Sequence, residues 1–346
     1  MKNKLTLSII CALIANIYTI NAQTTYVVDN NPNSGAQFSD IQSAIDAASD
    51  GDTIYVQQSE IRYAAVTLDK ELHVIGRGHE DELYNTNVLT FGINQAGSGS
   101  TLKGLRTEIR SVGSDVNNIN ISECKLSFLS IAFGASNITA SDWIIEGNEL
   151  SVVGTGLGVA NIIFSNNFFN MTSPGPDIDN PSEVLLTQNI FLLNFNGNFV
   201  NRNSNNNAVL NVSNSIISTP SDELIIPGNF QLNNCLIYNR SNPAQNVGIT
   251  SSATVQNTSG LILGQSPQFT IPIDTSIPQQ IFNFTLQAGS PAINAGIGGE
   301  NIGFQNNFVY KYLGTPKGFP TVKVTNYQSL GSQNGTITFD IEARSH

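Results

Sequence analysis

The stretch "NIIFSNNFFN", residues 161–170, sets bulky apolar side chains on both sides of a polar pair. Ile162, Phe164 and Phe169 look like inward-facing strand residues, yet Asn166 and Asn167 fall between them. One continuous strand cannot keep all three on one face, because side chains alternate with a period of two. A bend at the asparagine pair can. The eight positions from Ile162 to Phe169 then define a template: apolar, any, apolar, any, any, small polar, any, apolar.

The template recurs along the chain. Ile119, Ile121, Cys124 and Leu126 fit it, as do Trp143, Ile145, Asn148 and Leu150. Val184, Leu186, Asn189 and Phe191 follow, then Leu210, Val212, Ser215 and Ile217. Phe230, Leu232, Cys235 and Ile237 fit again, and Val255, Asn257, Gly260 and Ile262 read as a degraded copy. The sixth position falls at 124, 148, 167, 189, 215, 235 and 260, with spacings of 24, 19, 22, 26, 20 and 25.

A short rigid unit joined by links of variable length is the signature of a solenoid. The rigid unit reads as two strands around a tight bend. Cys124, Asn148, Asn167, Asn189, Ser215 and Cys235 are then expected to line one inner corner, the amides bonding to each other and to the turn backbone. Parallel stacking and the crossover rule give a right-handed parallel β-helix. "LDKELHVIGRG" and "GSTLKGLRTEI" supply earlier coils. Roughly ten coils at about 4.8 Å each make a rod on the order of 50 Å long.

The ends of such a rod need covers. In "QFSDIQSAIDAASDGDTIYV", Ser39 or Asp40 can start a helix, and Ile41, Ala44, Ile45 and Ala48 share one face. That face suits the open front of the core. After residue 305 the pattern changes. "PTVKVTNY" and "GTITFDIEA" alternate cleanly, with Ser332 to Gly335 as the turn of a β-hairpin that has an apolar face to bury.

Both ends resemble secreted bacterial proteins of the pectate-lyase-like β-helix superfamily, of the Bacteroidetes type. Ile41-Gln42, Ala44-Ile45, Ala48, Gly51-Asp52-Thr53-Ile54 and Val56 match their entrance run. Leu286, Gly289-Ser290-Pro291-Ala292-Ile293, Ala295-Gly296 and Ile302-Gly303 match their closing motif, with Asn294 and Asn301 where aspartate is usual. The resemblance implies architecture and is nearly silent on activity, since this fold hosts lyases, hydrolases, adhesins and phage spikes.

Residues 1–22 read as a signal peptide: Lys2 and Lys4 precede a short apolar run, and Ala22 is small at the cut. Cys11 offers a lipid-anchor alternative, but Ile10 precedes it. The run is too short to favour a membrane span, so no transmembrane anchor is expected after cleavage. The expected organisation is leader 1–22, capped β-helix 23–305 and hairpin 306–346. The expected location is outside the cell or on its outer surface, with the periplasm as alternative.

Formal net charge is −11, and −13 once Lys2 and Lys4 leave with the leader. That balance argues against nucleic acid as a partner. Two cysteines remain in the mature chain, too few and too far apart for a disulfide scaffold. The histidines, His73, His79 and His346, have no zinc-site spacing.

Catalytic signals are weak. A lyase would need a base beside clustered acids, and Arg106 or Arg110 near Glu123 and Glu146 is the nearest approach. "PGPDIDNP" offers Asp177 and Asp179 as Ca²⁺ ligands, short of an EF-hand. No other cofactor is implied. A stronger signal lies outside the barrel. Phe168, Ile190, Ile216 and Leu236 occupy one outward position in four successive coils, and Tyr238 the next outward position beyond Leu236. Such a column needs a cover or a partner: the C-terminal hairpin, or a polysaccharide or surface protein with Phe168 and Tyr238 as platforms. The expected function is a non-catalytic glycan- or protein-binding scaffold, with a polysaccharide lyase or glycoside hydrolase as the alternative.

Overall fold

The structure, a computed structural model, describes residues 23–79, 85–133, 138–172, 175–201, 208–251, 256–273, 283–310, 321–327 and 339–344. The leader lies outside them, as does the turn expected at Ser332 to Gly335. The chain forms a parallel β-helix with two main walls, each a 12-stranded sheet. Along its main path the first wall runs in strict sequence order from Thr25–Val28 to Gln256–Ser259. The second runs from Val66–Leu68 to Ile262–Leu263. All ladders in both walls are parallel. The return path carries only short pieces, such as Asp177–Ile178 and the pair Glu223–Ile225 with Gly248–Thr250. The variable spacing of the repeat is taken up there.

Register explains the core. Ile121, Ile145, Phe164, Leu186, Val212 and Leu232 stack on the inner side of the first wall. Leu126, Leu150, Phe169, Phe191, Ile217 and Ile237 stack on the second. All twelve are buried, and Phe169 and Phe191 stack at 4.4 Å between centroids. Burial of each such side chain contributes about 1.5–3 kcal/mol.

Each bend between the walls has one residue at positive φ: Glu123 (53°), Gly147 (69°), Asn166 (54°), Gln188 (55°), Asn214 (47°), Asn234 (49°) and Gly260 (62°). Glycine and asparagine tolerate this left-handed conformation best. The following residue turns inward and forms the ladder. The Cys124 N–H donates to Asn148 Oδ1 (2.9 Å), the Asn148 N–H to Asn167 Oδ1 (2.9 Å) and the Asn167 N–H to Asn189 Oδ1 (2.9 Å). The Asn189 N–H donates to Ser215 Oγ at 3.1 Å. The Asn166-Asn167 pair therefore divides its work: Asn166 makes the left-handed turn and Asn167 fills the corner.

The degraded copy is out by one residue. Leu232 pairs with Thr258 and Leu236 with Ile262, so Leu261, not Gly260, lies opposite Cys235. Gly260 takes the left-handed slot beside Asn234. Its small size made it look like a corner residue.

At the front, Asp40 caps the helix Ile41–Ala47 by accepting the Ser43 N–H at 2.8 Å. Ile41, Ala44 and Ile45 are buried. Asp52 is buried as well, and its two oxygens hold the Thr24 and Ser49 N–H groups at 2.7 and 2.8 Å. The coils end at Leu263 rather than near residue 305. Thr321–Tyr327 and Phe339–Arg344 form an antiparallel pair with Val322 opposite Ala343 and Val324 opposite Ile341. No helix among the described residues is long and apolar enough to cross a membrane, which says nothing of strands.

Candidate functional site

One outward file of the second wall reads, coil by coil, Arg106, Lys125, Glu149, Phe168, Ile190, Ile216, Leu236 and Ile262. Each neighbours an inward residue, so each should face solvent. From Phe168 to Leu236 the file is instead buried, with Phe168 and Ile216 each 0 % exposed; Tyr238, two residues beyond Leu236, is 5 % exposed, and Ile262 is half-buried. The expectation of an open binding face at Phe168, Ile190, Ile216, Leu236 and Tyr238 is corrected accordingly.

Among the described residues the cover comes from irregular chain between 269 and 310. Phe269, Phe284, Ala292 and Ile302 pack on the file, with Leu286, Ala295, Phe304 and Tyr310 beside them. Most belong to residues 283–310, a strap of irregular chain that holds the closing motif. The strap approaches so closely that a Cβ on Gly303 (φ 97°) would lie 2.7 Å from Ile216 Cδ1. Only glycine permits that approach at that φ. The motif is also bonded to itself: the Ile302 N–H donates to the Ala292 carbonyl at 2.8 Å, and the Asn294 N–H to Asn301 Oδ1 at 3.1 Å. Asn301 thus keeps the acceptor that an aspartate there would supply.

Between strap and rod lies a groove of about 580 Å³. Its rings are Phe269, Phe284, Phe304, Phe308 and Tyr310. Phe304 and Tyr310 stack at 5.2 Å, while Phe284 meets both edge-on at 5.3 and 5.2 Å. Asn283, Thr285, Asn301, Gln305, Asn306 and Asn307 supply the polar groups. Among the described residues, no lining residue carries a charge.

The charged head of the file adjoins this groove. Phe308 sits over Gly147, two residues from Glu149, at 3.0 Å from where a Cβ would be. Glu149 is 3 % exposed, and its Oε1 lies 3.1 Å from Lys125 Nζ. Its Oε2 is buried without a hydrogen-bond partner among the described residues. His79 is close by: burial, and then the charges of Lys125 and Arg106, push its pKa down to about 3. Arg106 stands one rung from Lys125 and forms no ion pair among the described residues. His79 and Glu149 each lie near Lys125 but are far apart in sequence, so no local pattern joins them. The one signal was charge in a file that later turns apolar.

The four weak catalytic candidates do not converge. Arg110 pairs with Glu108 at 2.9 Å and lies over the Phe128 ring. Glu123 sits in a bend and meets Lys103 at 3.5 Å. Glu146 faces outward on the first wall and accepts from Asn166 Nδ2 at 3.1 Å. Arg106 belongs to the head of the file. Asp177 and Asp179 flank Ile178 on the return path; burial raises the Asp177 pKa, against an Asn201 hydrogen bond that lowers it. No group of three or more His, Cys, Asp or Glu side chains gathers among the described residues. Two carboxylates fall short of the six to eight oxygens that Ca²⁺ takes, roughly.

Comparison with protein families finds no match, and comparison with curated proteins finds none either. Among solved structures, the pectin methylesterase from Aspergillus niger, in penultimately deglycosylated form, is similar at 12% identity and a TM-score of 0.28. That similarity covers 69% of this chain and 84% of that one. It is too distant to bear on activity or on the role of any residue.

Proposed function

We propose that this chain is an exported scaffold that binds neutral polysaccharide in the groove between strap and rod. One observation carries the reading: among the described residues, five rings and six amide or hydroxyl residues line the groove, and no charged side chain does. Sugar rings offer apolar C–H faces to aromatic planes and hydroxyls to amides, which both donate and accept. A uronic acid would bring a carboxylate that nothing in the lining neutralises, at a desolvation cost. The volume falls within the usual range for ligand sites.

An array of neutral and uronic glycans, with product analysis on every hit, tests this. Neutral glycans bind, and Tyr310→Ala or Phe308→Ala each weakens binding roughly 10-fold. Uronic glycans binding better than neutral ones, or ring removal without effect, overturns it.

A second reading as a hydrolase or lyase is favoured by the buried Glu149–Lys125 pair, whose carboxylate keeps one oxygen without a hydrogen-bond partner among the described residues. Product release from a bound glycan, abolished in Glu149→Gln, would establish that reading instead.

A further inference from the structure

The left-handed bend residues do not all face empty solvent. Asn166 Oδ1 accepts the Gln305 N–H at 2.9 Å, from 139 residues away. Asn214 Oδ1 accepts the Ile297 N–H at 2.8 Å, and the Asn214 carbonyl accepts the Gly303 N–H at 2.7 Å. Asn234 Nδ2 donates to the Ala295 carbonyl at 2.8 Å. Gln188 occupies the same bend position between Asn166 and Asn214, yet no side-chain bond joins it to the strap among the described residues. Three asparagines of one corner thus grip residues 295–305.

Those strap residues are one wall of the groove. Asn301, Ile302, Phe304 and Gln305 line it from the strap, and Ile216 lines it from the rod. Every other lining residue among those described falls between 269 and 310, so the rod's share of the groove, Ile216, is present only while the strap is docked. Apolar burial of the file supplies the bulk of the docking energy, but it is non-directional. The asparagine bonds set where along the rod the strap sits.

We infer that Asn166, Asn214 and Asn234 are positioning residues: they clamp the strap in the register that builds the groove, and they couple strap docking to ligand binding. The coupling rests on the groove being the binding site; the clamp itself does not. A ligand that touches both walls binds the docked state more tightly, so it must hold the strap down by the same factor that docking improves its affinity.

Glycine separates the two roles of these asparagines. It keeps the positive φ of the bend and removes the amide. The test compares wild type, Asn166→Gly, Asn214→Gly, Asn234→Gly, the triple variant and the control Gln188→Gly. The readout is hydrogen exchange in residues 295–305 and in the rod strand Ala140–Glu146. The expected result is exchange at least about 10-fold faster in 295–305 of the triple variant, partial increases in the singles, and no change in Ala140–Glu146 or in Gln188→Gly. Unchanged exchange in 295–305 overturns the clamp. So does equal acceleration in the rod strand, which would make the asparagines bend residues only; the single variants decide this if the triple fails to fold. In a second arm, cellohexaose and mannohexaose serve as neutral probes. A probe that binds should slow exchange in 295–305 of wild type and bind about 10-fold more weakly to the triple variant. Binding that leaves exchange unchanged overturns the coupling. If neither probe binds while the first arm holds, the clamp stands and the glycan reading falls.

Discussion

Replacing Asn167 with alanine tests the ladder at its centre. Asn167 Oδ1 receives the Asn148 N–H at 2.9 Å and Asn148 Nδ2 at 3.0 Å. Its Nδ2 donates to the Ile145 carbonyl at 2.8 Å and to Asn189 Oδ1 at 3.2 Å. All three asparagine side chains are fully buried, so no water replaces what alanine removes. The Asn148 N–H and the Ile145 carbonyl lose these partners at about 1–3 kcal/mol each, so the expected loss is about 2–6 kcal/mol. Serine is the control. Ser215 Oγ already accepts the Asn189 N–H in the same corner, so Asn167→Ser should recover the donor and roughly half the loss. Trp143, the only tryptophan, is buried in the neighbouring coil, opposite Ile162, and bonds the Val116 carbonyl at 2.9 Å. Guanidinium unfolding followed by its fluorescence and by far-UV circular dichroism reads the effect locally and globally. A loss below about 1 kcal/mol for alanine, or serine no better than alanine, would refute the reasoning.

Other outcomes follow from burial. Phe168→Asp and Ile216→Asp each place a carboxylate beneath the strap and should destabilise the protein by at least about 3 kcal/mol; an unchanged melting temperature would mean the file is open. Cys124 and Cys235 are fully buried, and burial pushes both thiols up to about 12, so a thiol reagent should label neither until the chain unfolds. His79 has a native pKa of about 3 against about 6.5 unfolded. The unfolded chain therefore binds the extra proton in that window. The contribution is full above pH 6.5 and is lost as pH falls towards 3, with a slope of at most about 1.4 kcal/mol per pH unit. His79→Gln should flatten the stability profile there relative to wild type; parallel profiles would contradict it.

The rod was legible because its rule is local. Two inward positions per strand and a bend every 19 to 26 residues leave a pattern in any one coil, and stacking repeats it. The ladder could be read from Asn148, Asn167 and Asn189 because few side chains suit a narrow polar corner. Gly260 was misread because a small residue serves both the corner and the left-handed slot. The strap was the larger omission. Phe269, Phe284, Ile302 and Phe304 follow no period, since the strap lies on the rod as irregular backbone held by asparagine side chains and a glycine. The apolar outward file signalled that a cover was needed; it could not say which segment supplied it.

The central claim, an uncharged aromatic groove built by the strap on the rod, is tested most directly by calorimetric titration with cellohexaose, mannohexaose and hexagalacturonate at low and high salt. The account predicts heat from at least one neutral sugar, with a Kd that salt leaves unchanged because no charge is paired. Binding confined to hexagalacturonate, and weakened by salt, would contradict it.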